Sequence, residues 1–275
     1  DDDLPFENAG ILKTTGFELQ AKWSDKLANG FRYSVGVALS DDKAKVVSYP
    51  SNPTNKIGDG VLYKGYTVGD IWGYVTGGIL QEGDFDGVGA NGKPLYHGPY
   101  FKGGQAYPGY IWYQDLDHDG VITTGLNTVD DPGDRKVIGN NAPRYRYNIT
   151  ANFQYKGFDL DLMFQGVGKR DYWLSSTSSY WGNGAGSWEV YNNSWTPERT
   201  DAKFPMYGSG TGSYPQTGYL LDASYIKLKQ VILGYTFPRT LINKFGLEKL
   251  RLNLAAYNLF TISDMPKYYD ADYLS

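Results

Sequence analysis

The stretch Asp115-Leu116-Asp117-His118-Asp119-Gly120-Val121-Ile122-Thr123 places three carboxylates at alternate positions ahead of a glycine. This is the D-x-D-x-D-G core of a calcium loop, in which hard oxygen ligands converge on one divalent cation. Gly120 permits the sharp turn that brings Asp115, Asp117 and Asp119 together, after which the Val121 carbonyl and Thr123 take the seventh and ninth positions. Position twelve is Leu126, where a full EF-hand carries a bidentate Glu, so a missing ligand has to come from elsewhere. Asp130, Asp131 and Asp134 are the nearby candidates. A Ca2+ ion held here would stiffen the loop rather than perform chemistry, and the competing reading is an acidic, solvated turn without an ion. His118 falls at position four, which is not normally a ligand, and is expected to be exposed.

Little else in the chain could react. There is no Cys, which excludes a disulfide framework, a thiolate metal site and a Cys nucleophile within this sequence. His97 and His118 are the 2 histidines, both in Gly- and Asp-rich surroundings without an evident Ser partner, and no Gly-x-Ser-x-Gly elbow is present. An enzyme is therefore not expected. Asp159 and Asp161 could be imagined as a glycosidase pair, but a simpler account is that they lie on the wet face of a strand. Trp112, Tyr180, Trp181, Trp188 and Trp195 fall between the strand segments described next, where flat apolar rings could stack on sugar or meet a partner. Self-packing of long ordered loops would use the same residues.

The elements that must position these residues are strands. With 25 Tyr, 16% aromatic residues, 35 Gly and 13 Pro, the composition favours β structure and turns over helix bundles. The net charge of −4, with Lys and Arg scattered, offers no footprint for nucleic acid. No apolar run approaches the ~20 residues of a membrane helix, whereas a membrane strand needs only ~9 to 11 residues with every second one apolar.

That alternation recurs six times. Phe17, Leu19, Ala21 and Trp23 oppose Glu18, Gln20 and Lys22; Phe31, Tyr33, Val35, Val37 and Leu39 oppose Arg32, Ser34, Gly36, Ala38 and Ser40. Tyr145 to Tyr155 alternates throughout, and a Lys156-Gly157 turn leads into Phe158, Leu160, Leu162 and Phe164. Val231, Leu233, Tyr235 and Phe237 form the fifth apolar set, with Ile226 and Leu228 out of phase, which a bulge would repair. Leu250, Leu252, Leu254 and Ala256 form the sixth.

The connections at 24–30, 156–157 and 238–249 are short, while those at 41–144, 171–224 and after 261 are long. Short turns at one end and long loops at the other is the arrangement of an outer-membrane barrel. Trp23, Phe31, Tyr155, Phe158, Tyr235 and Phe237 lie beside the short turns, where an interfacial girdle would sit. The expected fold is therefore all-β: about six strands of a large antiparallel transmembrane β-barrel with long extracellular loops. The alternative is a soluble β-sandwich, a secreted, calcium-stabilised, carbohydrate-binding module.

The same residues carry a family resemblance. Asn8-Ala9-Gly10 with Thr15-Gly16-Phe17-Glu18-Leu19, Asp70-Ile71-Trp72-Gly73-Tyr74, Gly78-Ile79-Leu80-Gln81, Tyr113 to Thr123, Asp134-Arg135, Ile138-Gly139-Asn140, Pro143-Arg144-Tyr145, Tyr155 to Leu160, Tyr225 to Lys229, Leu233-Gly234-Tyr235 and Asn258-Leu259-Phe260 follow one another in order. In this order they resemble the SusC-like (SusC/RagA) TonB-dependent transporters of Bacteroidetes outer membranes. The resemblance implies import of glycan or peptide fragments across the outer membrane of a Gram-negative bacterium, with a SusD-like surface lipoprotein, the lipid bilayer and TonB as partners. It implies that residues 1–275 are the C-terminal portion of a barrel of about 22 strands, without the plug domain, the TonB-contacting region and the closing strand. Such proteins usually reach the Asp-Arg pair soon after the Thr, so the intervening Gly125 to Gly133 favours Asp134 as the displaced last ligand.

Overall fold

The structure is a computed structural model that describes residues 10–173, 188–210, 212–267 and 269–274. It is all-β, with 47% strand and 8% helix, and the described residues contain no helix long and apolar enough to cross a membrane, which says nothing of membrane strands. The chain divides into two compact units.

One unit is a six-stranded antiparallel sheet in which each strand pairs with its neighbours in sequence. Its strands are Ile11–Lys26, Arg32–Ser48, Arg144–Tyr155, Phe158–Lys169, Tyr225–Thr236 and Arg251–Ser263. The register aligns the faces predicted from alternation: Tyr33, Val35 and Val37 stand opposite Phe153, Ala151 and Ile149, which stand opposite Leu160, Leu162 and Phe164. Leu160 and Leu162 in turn oppose Leu233 and Val231, and these oppose Leu254 and Ala256. Because residues directly opposite share a face, one apolar surface runs across the sheet and the other surface is polar. On the polar side the Asn152 amide donates to Asp161, and Arg251 donates to Asp159 at 2.5 Å.

The second short turn, between the third and fourth strands, shows why the turns are short. Lys156 and Gly157 have φ of 46° and 87°, the left-handed pair that a two-residue hairpin matched to strand twist demands. Aromatic rings band together at this end: Phe158 stacks beside Tyr235 at 4.4 Å between centroids, Tyr235 meets Phe237 at 4.9 Å, and Phe31 meets Tyr155 at 6.3 Å.

The expected phase change is present as a double irregularity centred on Lys229. Met163 and Phe164 face Gln230 and Leu228, leaving Lys229 as the extra residue, while on the other side Leu228 and Gln230 face Phe260 and Tyr257. Asn258 takes a left-handed φ of 54° to absorb the offset, as bulges require. Ile226 and Leu228 thereby return to the apolar face.

A β-sandwich would cover its apolar face with a second sheet. Here Trp23 is 65% exposed, Leu254 73% and Ile262 65%, so the apolar side stands open as a lipid-facing wall does. Among the described residues no second sheet covers this face, as a β-sandwich would require. Strand limits differ from the expectation at Asp41. The second strand runs on to Ser48, past its pairing with the third, which ends at Ser40 opposite Arg146; just beyond that point Arg144 grips Asp41 with two 2.5 Å hydrogen bonds, and Arg146 pairs with Asp42. Apolar alternation stops at Leu39, but the strand conformation does not, so the first long connection begins at 49 rather than 41.

The second unit is built chiefly from Lys45–Asn141 and Tyr172–Leu220, the two long connections. They close around their own aromatic cluster, in which Tyr113 meets Tyr74 at 4.9 Å and Phe101 meets Tyr214 at 5.2 Å. Short strand pairs, Asp70–Tyr74 with Arg135–Asn140 and Thr76–Ile79 with Ile111–Tyr113, frame it. Buried Gln216 joins the two connections: its amide donates to the Tyr113 hydroxyl at 3.0 Å and accepts from the Thr76 hydroxyl at 3.0 Å. Burial raises the Tyr113 hydroxyl pKa well above its usual value.

Leu162 lies mid-strand on the apolar face and Met163 beside it on the polar face. Leu162→Arg in the full-length protein is expected to cost about 2 to 4 kcal/mol of folding free energy in lipid vesicles, and Met163→Arg much less. Urea midpoints of the two variants check this; equal costs would contradict the assignment of faces.

Candidate functional site

The acidic loop is positioned at both ends by β pairing. Ile111–Tyr113 leads into it, and Val121–Ile122 leaves it in a parallel pair with Tyr100–Phe101. Within it, His118 and Gly120 adopt left-handed φ of 63° and 84°, folding the backbone around Asp115. The two Asp115 oxygens accept from His118 N–H at 2.7 Å and Gly120 N–H at 2.8 Å. Burial works against the Asp115 carboxylate, but these N–H donors outweigh it and hold its pKa below the usual value. Asp117 is shifted the other way, by desolvation and by the neighbouring charges of Asp119 and Asp134.

Of the candidates for the missing ligand, Asp134 is the one brought in. Carboxylate oxygens of Asp115, Asp117 and Asp134 lie within 4.8 Å of one another. Asp134 is fully buried and accepts from Leu116 N–H at 2.8 Å and Thr123 N–H at 2.7 Å. Gly133 and Gly125, with φ of 60° and 53°, let the inserted residues turn back on themselves so that Asp134 reaches the loop. Asp131 is taken by Leu126 N–H at 3.1 Å, and Asp130 is exposed. Asp119 stands apart from the cluster, accepting from Val121 N–H at 2.8 Å. Thr123 serves the loop itself, with its hydroxyl accepting from Gly125 N–H at 3.1 Å and its carbonyl from Asp134 N–H at 3.2 Å. Two oxygens bound to one Ca2+ at about 2.3 to 2.6 Å are separated by no more than about 5 Å, so the three-carboxylate cluster fits such an ion. His118 is exposed, as its position in the loop implies.

Sequence reasoning missed Arg135. Its guanidinium donates to the Thr124 carbonyl at 3.0 Å, the Pro132 carbonyl at 3.2 Å and Asn127 at 2.6 Å, closing the insertion beneath Asp134. The Asp134-Arg135 pair was visible as a motif, but these partners are carbonyls brought near only by folding.

The aromatic candidates separate. Trp112 is half-buried and covers Gly77, where an added Cβ would lie 2.3 Å from its ring, so its face is used by the chain itself. Trp195 is buried and donates to Gln81 at 2.9 Å, which makes it core rather than contact surface. Trp188 is 77% exposed, edge-on to Tyr191 at 5.9 Å. Tyr180 and Trp181 lie outside the described residues.

No protein-family model matches the chain. It is 28% identical over 272 residues to TonB-dependent receptor P3 of Formosa agariphila, covering 94% of this chain and 25% of that one. TonB-dependent receptor P26 of the same organism is 26% identical, again over 94% of this chain and 25% of the relative. This chain is a relative of the TonB-dependent receptors. It spans about a quarter of the length of the curated relatives it matches. Among solved structures, the RagAB peptide importer in its open-open state matches with a TM-score of 0.65 at 19% identity, covering 96% of this chain and 26% of that one. The RagAB peptide transporter matches at 0.63 and 17%, over 94% of this chain and 26% of that one. At such identities these likenesses speak for the fold, a segment of transporter β-barrel.

Asp134→Ala would leave the part-buried Leu116 and Thr123 N–H groups without their acceptor, at about 1 to 3 kcal/mol. Amide exchange at both positions is expected to accelerate, whereas Asp130→Ala leaves it unchanged; protection retained in Asp134→Ala would contradict the assigned role.

Proposed function

We propose that this segment serves TonB-dependent import of oligomeric nutrients, glycan or peptide fragments, across the outer membrane. In this reading the six strands are part of the wall of a barrel of about 22 strands, their apolar face meets lipid, and their polar face lines the path. The two long connections face the cell exterior and meet a SusD-like surface lipoprotein that holds the substrate. TonB acts through a region of the receptor outside this chain. The observation that carries the reading is similarity to TonB-dependent receptors along 94% of the chain, with a sheet whose two faces divide cleanly into apolar and polar. The fold-level likeness to the RagAB peptide importer keeps peptide beside glycan as substrate. Of the candidates Trp112, Trp188 and Trp195, Trp188 is the exposed one and suits contact with substrate or lipoprotein.

Uptake of labelled oligosaccharide and oligopeptide pools by cells making the full-length receptor tests this. Uptake should be lost on deletion of the receptor and on collapse of the proton gradient with a protonophore. Uptake indifferent to both would overturn it.

The reading includes a structural Ca2+ in the acidic loop. Asp115, Asp117 and Asp134 would hold it, with Asp119, the Val121 carbonyl and Thr123 as further oxygens of the loop; bound, the ion would supply rigidity. In the full-length receptor, a chelator should speed protease cleavage within residues 115–134, and added Ca2+ should reverse this. Asp117→Asn, which spares the buried Asp134 hydrogen bonds, should abolish the calcium dependence; cleavage rates equal with and without Ca2+ in the unaltered protein would remove the ion from the account.

A further inference from the structure

The chain beyond the sixth strand folds back on the sheet's polar side. Asp270 caps a short turn, Ala271–Tyr273, by accepting from Asp272 N–H at 3.1 Å. The Lys227 ammonium, its side chain only 5% exposed, donates to the two Asp270 oxygens at 2.9 and 2.7 Å and to Asp272 at 3.2 Å. Lys229 and the Tyr225 hydroxyl each donate to Asp272 at 2.7 Å, and Arg170 donates to the Leu274 carbonyl at 2.9 Å. Tyr225 and Lys227 stand opposite Val167 and Gln165, which places them on the same face as Asp161 and Asp159. Ala271 is buried by this docking. Between the turn and the sheet lies a cavity of about 490 Å³ lined by Arg146, Asn148, Gln165 and Tyr225 among others.

A lysine buried to this degree is costly unless fully paired, and two lysines against two aspartates leave the cluster neutral. The desolvation opposes ionisation of Asp272, yet donation from Lys229, Tyr225 and Lys227 outweighs it and brings its pKa down to about 2, so the cluster stays charged at neutral pH. Release of the turn would take from Lys227 both of its carboxylate partners, Asp270 and Asp272. The contact is therefore a built attachment rather than a chance resting place of a loop.

We propose that residues 270–274 form a fixed strap across the polar face of the barrel wall, narrowing the import path there and helping to decide which substrates pass. This rests on the import reading. The strap can be tested in the full-length receptor carrying Ala271→Cys, since this stretch has no cysteine of its own. Maleimide labelling should be slow, and should accelerate about tenfold or more when Asp270→Asn and Asp272→Asn remove the charge-assisted bonds. Entry of a bulky hydrophilic antibiotic into cells should rise with it. Lys229→Gln, which removes one contact, should give an intermediate rate, and heat-modifiable gel migration reports that the barrel is intact in each variant. An unchanged labelling rate, or faster labelling without increased entry, overturns the proposal. Failure of the import reading is separately visible, as protonophore-insensitive uptake by the unaltered receptor.

Discussion

Hydrocarbon offers no hydrogen bonds, so every backbone N–H and C=O that enters it must find its partner within the protein. The four inner long strands meet that demand on both sides, and Ile11–Lys26 and Arg251–Ser263 meet it on the side that faces the sheet. Once the backbone is satisfied by a sheet, side chains can only alternate, and one face must suit lipid while the other suits water. Phe158 to Gln165 shows the result most simply, with Leu160 and Leu162 on one side and Asp159 and Asp161 on the other. Hairpin turns, bulge and girdle all serve this constraint.

Where the chain leaves the sheet the constraint is lifted, and a different logic takes over. The long connections behave as a small domain: they have buried aromatic rings, short strand pairs and a buried glutamine that joins one connection to the other. Exposed rings and core rings are then drawn from the same aromatic pool. Trp195 and Trp188 look alike in the sequence, seven positions apart, yet one is core and the other surface.

What could be read in advance follows from these two regimes. Strand faces were legible because period-2 alternation is a local signal, and the bulge was legible because Ile226 and Leu228 break phase within a few residues of Val231. The reach of the second strand was not, since Asp41 and Asp42 carry no alternation and are held by Arg144 and Arg146, about a hundred positions away. The first carboxylates of the acidic loop could be named from spacing. The position of Asp119 could not, because its carboxylate serves the backbone at Val121. Lys227 gave no sign of its partners, which lie 43 and 45 residues further on.

The central claim is that this sheet is a membrane wall with lipid on one side and water on the other. Spin labels placed one at a time from Phe158 to Gln165 in the full-length receptor, reconstituted in lipid, test it most directly. Accessibility to oxygen, which concentrates in lipid, should peak at 158, 160, 162 and 164, and accessibility to a water-soluble nickel complex should peak at 159, 161, 163 and 165. Loss of the two-residue period, or the same period with its phase reversed, would contradict the account.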